Sequence, residues 1–395
     1  MTSARLPAWQ LTDLLRRFLR SESKSGFILI SCTLLSLLLA NSGLGESYVH
    51  FWHAPVGGGH TVEHLINDGL MTLFFLLVGL EIEREIYQGE LSDPRAALLP
   101  VFAALGGMAV PALIHGLFNA GEATARGAGI PTATDIAFAL GVLMLLGKRV
   151  PVSLKIFLTA LAIMDDLGAI LVIAVFYSAG LDWSWLGAAG GIFAVLAVMN
   201  RLGVNRLPLY LLPGLAAWYC MLHSGVHATL TGVILAFLVP FRDGGQTSPS
   251  YILEHRLTGI VAFGVLPLFA LANTGIVIPA GWQEGLLSHN SLGILLGLVL
   301  GKPLGIFLFS LLAVALGLCR LPEGMNWKHV LGAGLLGGIG FTMSMFVTML
   351  AFQDPALVTA SKIAIMAASL LSAVAGLVWL RLVTERPNAA IQPAA

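Results

Sequence analysis

Long apolar runs separated by short polar connectors recur along the whole chain. A helix needs about 20 apolar residues to cross the hydrocarbon of a bilayer. Runs of that kind lie near 26–43, 65–86, 96–119, 124–146, 153–178, 183–200, 207–222, 224–240, 256–277, 291–317, 328–351 and 358–382. The pattern predicts an all-α membrane protein with twelve transmembrane helices. Two runs are imperfect. The fourth carries Pro131 and Asp135 within "IPTATDIAFALG", and the eleventh is crowded with glycine in "LGGIGFTMSMF". Pro131 removes a backbone donor and disfavours helix just before itself. Thr132 and Thr134 can bond to nearby backbone instead. Both runs are therefore expected to be interrupted helices whose ends line a cavity. Helices 3–5 and 10–12 are then triplets, each built round an interruption. The seven-helix offset between them makes the triplets run in opposite directions, as inverted-topology repeats. Such repeats with paired broken helices point to a secondary transporter.

Polar positions set the orientation. Eighteen of the 21 Lys and Arg fall before the first run or in alternate connectors from there, and the opposite connectors hold only Arg126. Basic residues mark the cytoplasmic side, so both termini are expected in the cytoplasm. Leu11, Leu14, Leu15, Phe18 and Leu19 share one helical face, with Arg16, Arg17 and Arg20 elsewhere. That predicts an interfacial helix within a cytoplasmic segment 1–24. Residues 25–383 form the helix domain, and 384–395 read as a disordered cytoplasmic tail.

Composition narrows the function classes. Charged residues make up 11% of the chain and mean hydropathy is +0.87, with no net charge. An ordinary soluble domain carries about 25% charged residues, so a water-soluble globule is excluded. No basic surface for nucleic acid appears, and no cofactor motif. Cys32, Cys220 and Cys319 are isolated and read as small buried hydrophobes.

Charges inside apolar runs then carry the chemistry. Each costs at least ~2.5–3.5 kcal/mol at mid-bilayer, so each needs a partner, water or a task. Asp165 and Asp166 lie in the middle of "LTALAIMDDLGAILVIAVFYS". Neighbours on a helix point about 100° apart, so both carboxylates can face one cavity. They resist ionising together, and a hard cation such as Na⁺ or Li⁺, or protons, would relieve that. A neutral pair that only packs is the bland alternative. Asp135 at the interruption can offset helix N-termini, which carry about half a positive charge. Lys302, in "GLVLGKPLGIF", is expected to pair with a membrane carboxylate or offset helix C-termini; snorkelling is the alternative. Gly293, Gly297, Gly301 and Gly305 recur every four residues there, permitting close approach by another helix. A phosphate-loop reading fails, because Pro303 stands where a hydroxyl is required. Asp68 is a further acid, early in the second run. His223 and His227 have i, i+4 spacing without the H-E-x-x-H pattern, so a titrating or hydrogen-bonded histidine is expected rather than zinc. Glu81, Glu83, Arg84, Glu85 and Glu90 crowd one helix end, where a merely solvated terminus is as good a reading.

The strings "INDGLMTLFFLLVGLEIERE", "IPTATDIAFALGVL", "KIFLTALAIMDDLGAI", "SGVHATLTGVI", "GKPLGI" and "GIGFTMSMF" closely resemble the NhaA-type sodium/proton antiporters of bacterial inner membranes. The likeness runs from about 25 to 383, and the family is itself an established instance of the inverted-repeat architecture. The resemblance implies exchange of Na⁺ or Li⁺ for H⁺, electrogenic at two protons per sodium and regulated by pH. By the same resemblance, Asp165 and Asp166 bind cation and protons, while Asp135 and Thr134 sit at the helix crossing. It has Lys302 face the first acid of the pair, and Asp68 lie in the second helix. Glu81, Arg84, Glu85 and Glu254 then belong to a cytoplasmic pH-responsive cluster, and His227 affects the pH profile. Glu83 departs from the family, where a basic residue can occur. Loop 44–63 is the region that can form a β-hairpin joining two protomers, so a homodimer in membrane lipid is expected. Competing classes are an organic-anion transporter, a channel and an intramembrane aspartyl protease. The last needs acids converging from separate helices, which an adjacent pair supplies poorly.

Overall fold

A computed structural model describes residues 8–57, 59–178 and 180–384, leaving aside the side chains at 8–23, 90, 94, 95 and 148. The protein is nearly all helical. Among the described residues, seven helices are long and apolar enough to cross a membrane: Val62–Gln88, Ala96–Phe118, Val152–Phe176, Trp183–Arg201, Pro249–Asn273, His289–Ala315 and Pro355–Val383. Three more are bent pairs, which brings the number to 10 if each pair counts as one span. Of these pairs, Ala123–Thr132 with Ile136–Met144 bends by 42°, and Trp327–Gly337 with Phe341–Ala351 by 48°. Lys24–Ala40 with Gly45–Trp52 turns through 119°. The other two expected runs are helices Pro208–His223 and Leu230–Leu238, of 16 and 9 residues. At about 1.5 Å per residue neither alone reaches the ~30 Å of a hydrocarbon core.

The helices bury most of their polar side chains within spans along with an apolar core, and leave many further large apolar residues outside. Leu38, Leu117, Val175, Leu212 and Leu382 are 70%, 80%, 70%, 68% and 77% exposed. In water that would be an aggregating surface; against lipid it is a solvated one. Some hydroxyls inside spans bond their own helix, as Thr33 does to Leu29 and Thr348 to Ser344, which satisfies their donors within the span.

At the amino end the expected interfacial helix is not separate. One helix runs from Ala8 to Ala40, because no Gly or Pro lies between Ala8 and Lys24 to end it. Residues 1–7 and the tail beyond Thr384 lie outside the described residues. Loop 44–63 folds as helix Gly45–Trp52 and a small antiparallel hairpin pairing Pro55 with Thr61 and Gly57 with His60.

The glycine stripe meets Ala96–Phe118 along most of its length, and at Gly297 also the first broken helix, where a Cβ would lie 2.8 Å from the Pro131 Cβ. A Cβ at Gly305 would lie 2.0 Å from the Gly106 carbonyl oxygen, and one at Gly301 3.0 Å from the Pro111 Cα. A Cβ at Gly293 would meet His115 and Asn119. Helix His289–Ala315 therefore lies backbone to backbone on Ala96–Phe118, which brings Lys302 into the centre of the bundle.

Candidate functional site

Both interruptions are stretches of non-helical backbone. Ala133 and Asp135 are extended, at φ −88°, ψ 152° and φ −86°, ψ 100°. Gly338, Ile339 and Gly340 separate the two halves of the other bent span. The breaks cross, and the freed backbone groups satisfy one another: the Asp135 amide donates to the Ile339 carbonyl at 2.7 Å. Ser344 Oγ donates to the Ile130 carbonyl at 2.7 Å.

Asp135 caps two helices at once. Its Oδ1 accepts from the Phe138 amide at 3.0 Å. Its Oδ2 accepts from the Thr342 amide at 3.1 Å and the Thr342 hydroxyl at 2.5 Å. One buried carboxylate thus answers the positive ends of Ile136–Met144 and Phe341–Ala351. The negative ends have different partners. Lys302 Nζ donates to the Thr132 carbonyl, at the end of the first half-helix. Thr134 Oγ1 lies 2.8 Å from the Gly337 carbonyl, at the end of the other.

Asp165 and Asp166, on helix Val152–Phe176, enter this crossing from the side and are 0% and 3% exposed. Lys302 Nζ lies 2.8 Å from Asp165 Oδ2, with both side chains fully buried. Thr134 Oγ1 lies 2.6 Å from the same oxygen. A hydroxyl has one proton and two acceptors here. When Thr134 donates to Gly337, a short contact to Asp165 requires the proton to sit on Asp165; when Asp165 is ionised, Thr134 must turn its proton to it. Protonation of Asp165 and the contact to the half-helix end are thereby coupled. Asp165 Oδ1 and Asp166 Oδ1 are buried with no hydrogen-bond partner. Buried carboxylate oxygens without a donor are costly unless a proton, water or cation satisfies them. The donor set is all oxygen, which suits a hard cation.

The structure brings Asp135, Thr134, Asp165, Asp166 and Lys302 together and leaves the other candidates elsewhere. Asp68 lies on a widened helical turn, Leu65–Leu70, with Oδ2 2.8 Å from His64 Nε2. Arg84 pairs with Glu254 and, at 3.2 Å, with Glu85. Glu81 is on the same helix, one turn before Glu85. Glu83 is 5% exposed, and its Oε2 has no partner. His227 sits in the turn between two short helices, its Nε2 2.9 Å from the Tyr177 carbonyl. His223 ends the preceding helix and lies tilted against Tyr219, at 4.5 Å between ring centroids. The two histidines share no helical face, because the helix stops between them.

Several participants carry no assignment in the sequence reading. Thr342 and Ser344 stand in "GIGFTMSMF" two and four residues after Gly340, yet hydroxyls in apolar helices usually bond their own backbone. The Thr132 and Gly337 carbonyls have no side-chain signature at all. Lys362, which only marked the start of a span, is buried with Nζ 3.8 Å from Glu63.

Residues 16–380 match the family described as Na+/H+ antiporter 1. The chain is 57% identical over 378 residues to the Na(+)/H(+) antiporter NhaA of Cytophaga hutchinsonii, covering 96% of this chain and 97% of that protein. It is 56% identical over 383 residues to the Dechloromonas aromatica protein of the same name, covering 96% and 98%. Against the Yersinia pseudotuberculosis protein of that name, identity is 49% over 391 residues, covering 96% and 99%. With likeness of this extent along nearly the whole chain, the multi-pass membrane protein described here belongs to the Na+/H+ antiporter 1 family.

Proposed function

We propose that the protein expels Na⁺, and Li⁺ by the same route, from the cytoplasm in exchange for protons entering down their gradient. The observation that carries the reading is the pair of donorless oxygens on Asp165 and Asp166 beside the Lys302 ammonium. A cation and protons compete for these carboxylates. Na⁺ arriving from inside displaces protons from Asp165 and Asp166; protons arriving from outside displace Na⁺. When Na⁺ draws Asp165 away, Lys302 keeps the Thr132 carbonyl as its partner, so the crossing is not left with an orphan ammonium. Exchange at two protons per sodium makes each cycle electrogenic.

The same reading places twelve spans in the bacterial inner membrane with both termini in the cytoplasm. The two short helices Pro208–His223 and Leu230–Leu238 complete the count. Helices 3–5 and 10–12 are inverted repeats, a reading supported by one break in each triplet and by the crossing of the breaks. The hairpin of loop 44–63 joins two protomers, and lipid surrounds the dimer. Arg84, Glu85, Glu254 and Glu81, with His227 at the other end of the bundle and Asp68 in the second span, set the response to pH. The test is Na⁺- and Li⁺-evoked proton movement in proteoliposomes under an imposed pH gradient, read with a pH dye. Uphill Na⁺ transport driven by protons is expected. Conductance without coupling, or a need for an organic solute, would overturn the reading.

A further inference from the structure

Thr342, Phe346 and Met349 follow one another at i, i+4 and i+7, hence along one face of helix Phe341–Ala351. Thr342 holds Asp135 at the crossing. Phe346 lies 5.5 Å from Phe75 and 6.5 Å from Phe269 between ring centroids, an aromatic layer one turn away from the site. Met349, a turn further, meets a polar layer. Asn67 and Asn273 donate to each other's side-chain oxygens at 3.3 and 2.8 Å, and Asn67 Nδ2 also reaches Met349 Sδ at 3.2 Å. Beside them Lys362 Nζ, on a side chain 9% exposed, lies 3.8 Å from Glu63 Oε1, and Glu63 Oε2 lies 3.3 Å from His53 Nε2.

These contacts join two groups of helices. Glu63 and Asn67 belong to Val62–Gln88, and Asn273 ends Pro249–Asn273. Met349 and Lys362 belong to the second broken span and to Pro355–Val383. The bonds therefore tie helices that do not carry the aspartates' crossing to the second broken span, which does, and to the helix that follows it. Their strength is graded. A tight charged pair closes to about 2.7–2.9 Å, as Lys302 and Asp165 do at 2.8 Å. At 3.8 Å the Glu63–Lys362 pair is loose. A loose buried pair gains hydration when its helices part, which nearly offsets the lost attraction.

We propose that Glu63, Lys362 and the Asn67–Asn273 amide pair form a latch that sets access to the aspartate site from this end of the bundle. The latch closes over the aromatic layer and releases when the site opens to that side. It rests on the reading of the protein as an alternating-access antiporter. The latch makes two opposite predictions. Glu63→Gln leaves the Lys362 ammonium buried without a counter-charge and favours the open form. Glu63→Leu with Lys362→Met replaces the pair by apolar contact that gains nothing from water and favours the closed form.

The test uses the full-length protein in proteoliposomes, with Cys32, Cys220 and Cys319 changed to Ser and Phe346→Cys as reporter. A membrane-impermeant maleimide reads access. Glu63→Gln is expected to raise the labelling rate about tenfold and the apolar double variant to lower it about as much. Charge reversal, Glu63→Lys with Lys362→Glu, is expected to return it to within about twofold of the parent. Met349→Cys serves as a second reporter where Phe346→Cys fails to fold. Labelling unchanged in Glu63→Gln and in the apolar pair, or moved in the same direction by both, would overturn the latch. Na⁺-driven proton movement is recorded in the same vesicles. Its absence from the parent would overturn the antiport reading, whereas the labelling decides the latch.

Discussion

Two groups of carboxylates in the bundle, one round Lys302 and one round Arg84, are built in opposite ways. At the crossing, Asp135, Asp165 and Asp166 are buried round Lys302, and the framework is backbone: two helix N-termini on Asp135, two helix C-termini on Lys302 and Thr134. At the end of the second span, Glu85 and Glu254 pair with Arg84 through its side chain, and Arg84 is 34% exposed. A side-chain pair near water can rearrange without moving a helix. At the crossing the charges are part of how the half-helices end, so a change of protonation there acts on helix positions. The first arrangement suits transport and the second suits adjustment.

Substitutions can break or sharpen that contrast. Asp166→Asn has the largest expected effect on exchange, reducing it to background in the proteoliposome assay. The fold should survive, since Asp166 Oδ1 makes no hydrogen bond to lose; an unchanged thermal transition checks this. Lys302→Ala should cost about 3–5 kcal/mol of stability by leaving Asp165 buried beside no cation. Adding Asp165→Asn to Lys302→Met should recover most of that stability and none of the exchange. Thermal unfolding in detergent separates the two readouts. Thr342→Val keeps the backbone donor to Asp135 and loses the hydroxyl. A loss of about 1–3 kcal/mol and slower exchange are expected. Glu85→Ala should move the pH profile of exchange while changing stability by less than about 1 kcal/mol, because its partner Arg84 is partly exposed and keeps Glu254. A Glu85→Ala protein with an unmoved profile would remove the adjusting role from that end of the bundle.

Much of the crossing was legible because charge in an apolar run is rare and expensive. Asp135, Asp165, Asp166 and Lys302 announce themselves that way, and Pro131 and the glycines of "LGGIGF" mark where helices stop. The four-residue glycine repeat told of a close neighbour, but not that it would be Ala96–Phe118, since the partner's own Gly106 and Pro111 follow no such period. Glu63 and Lys362 were opaque for another reason. They stand almost 300 residues apart, and only tertiary packing makes them a pair. The amphipathic stretch around residues 11–19 continues without a break into the first apolar run, as helix Ala8–Ala40, since no Gly or Pro between Ala8 and Lys24 interrupts it. Pro208–His223 and Leu230–Leu238 read as full runs because hydropathy does not register the non-helical stretch at 224–229.

The central claim is that Na⁺ and protons compete for the Asp165–Asp166 pocket. It is tested most directly by adding Na⁺ to the detergent-solubilised protein in weakly buffered solution. Proton release is read with a pH dye, and Na⁺ affinity is measured by calorimetry at successive pH values. The expected result is proton release on Na⁺ binding, with apparent affinity falling by up to about tenfold per pH unit for each proton exchanged as the solution becomes more acid. Both effects should be absent in Asp166→Asn. Na⁺ binding that releases no proton and keeps its affinity across the same pH range would contradict the account.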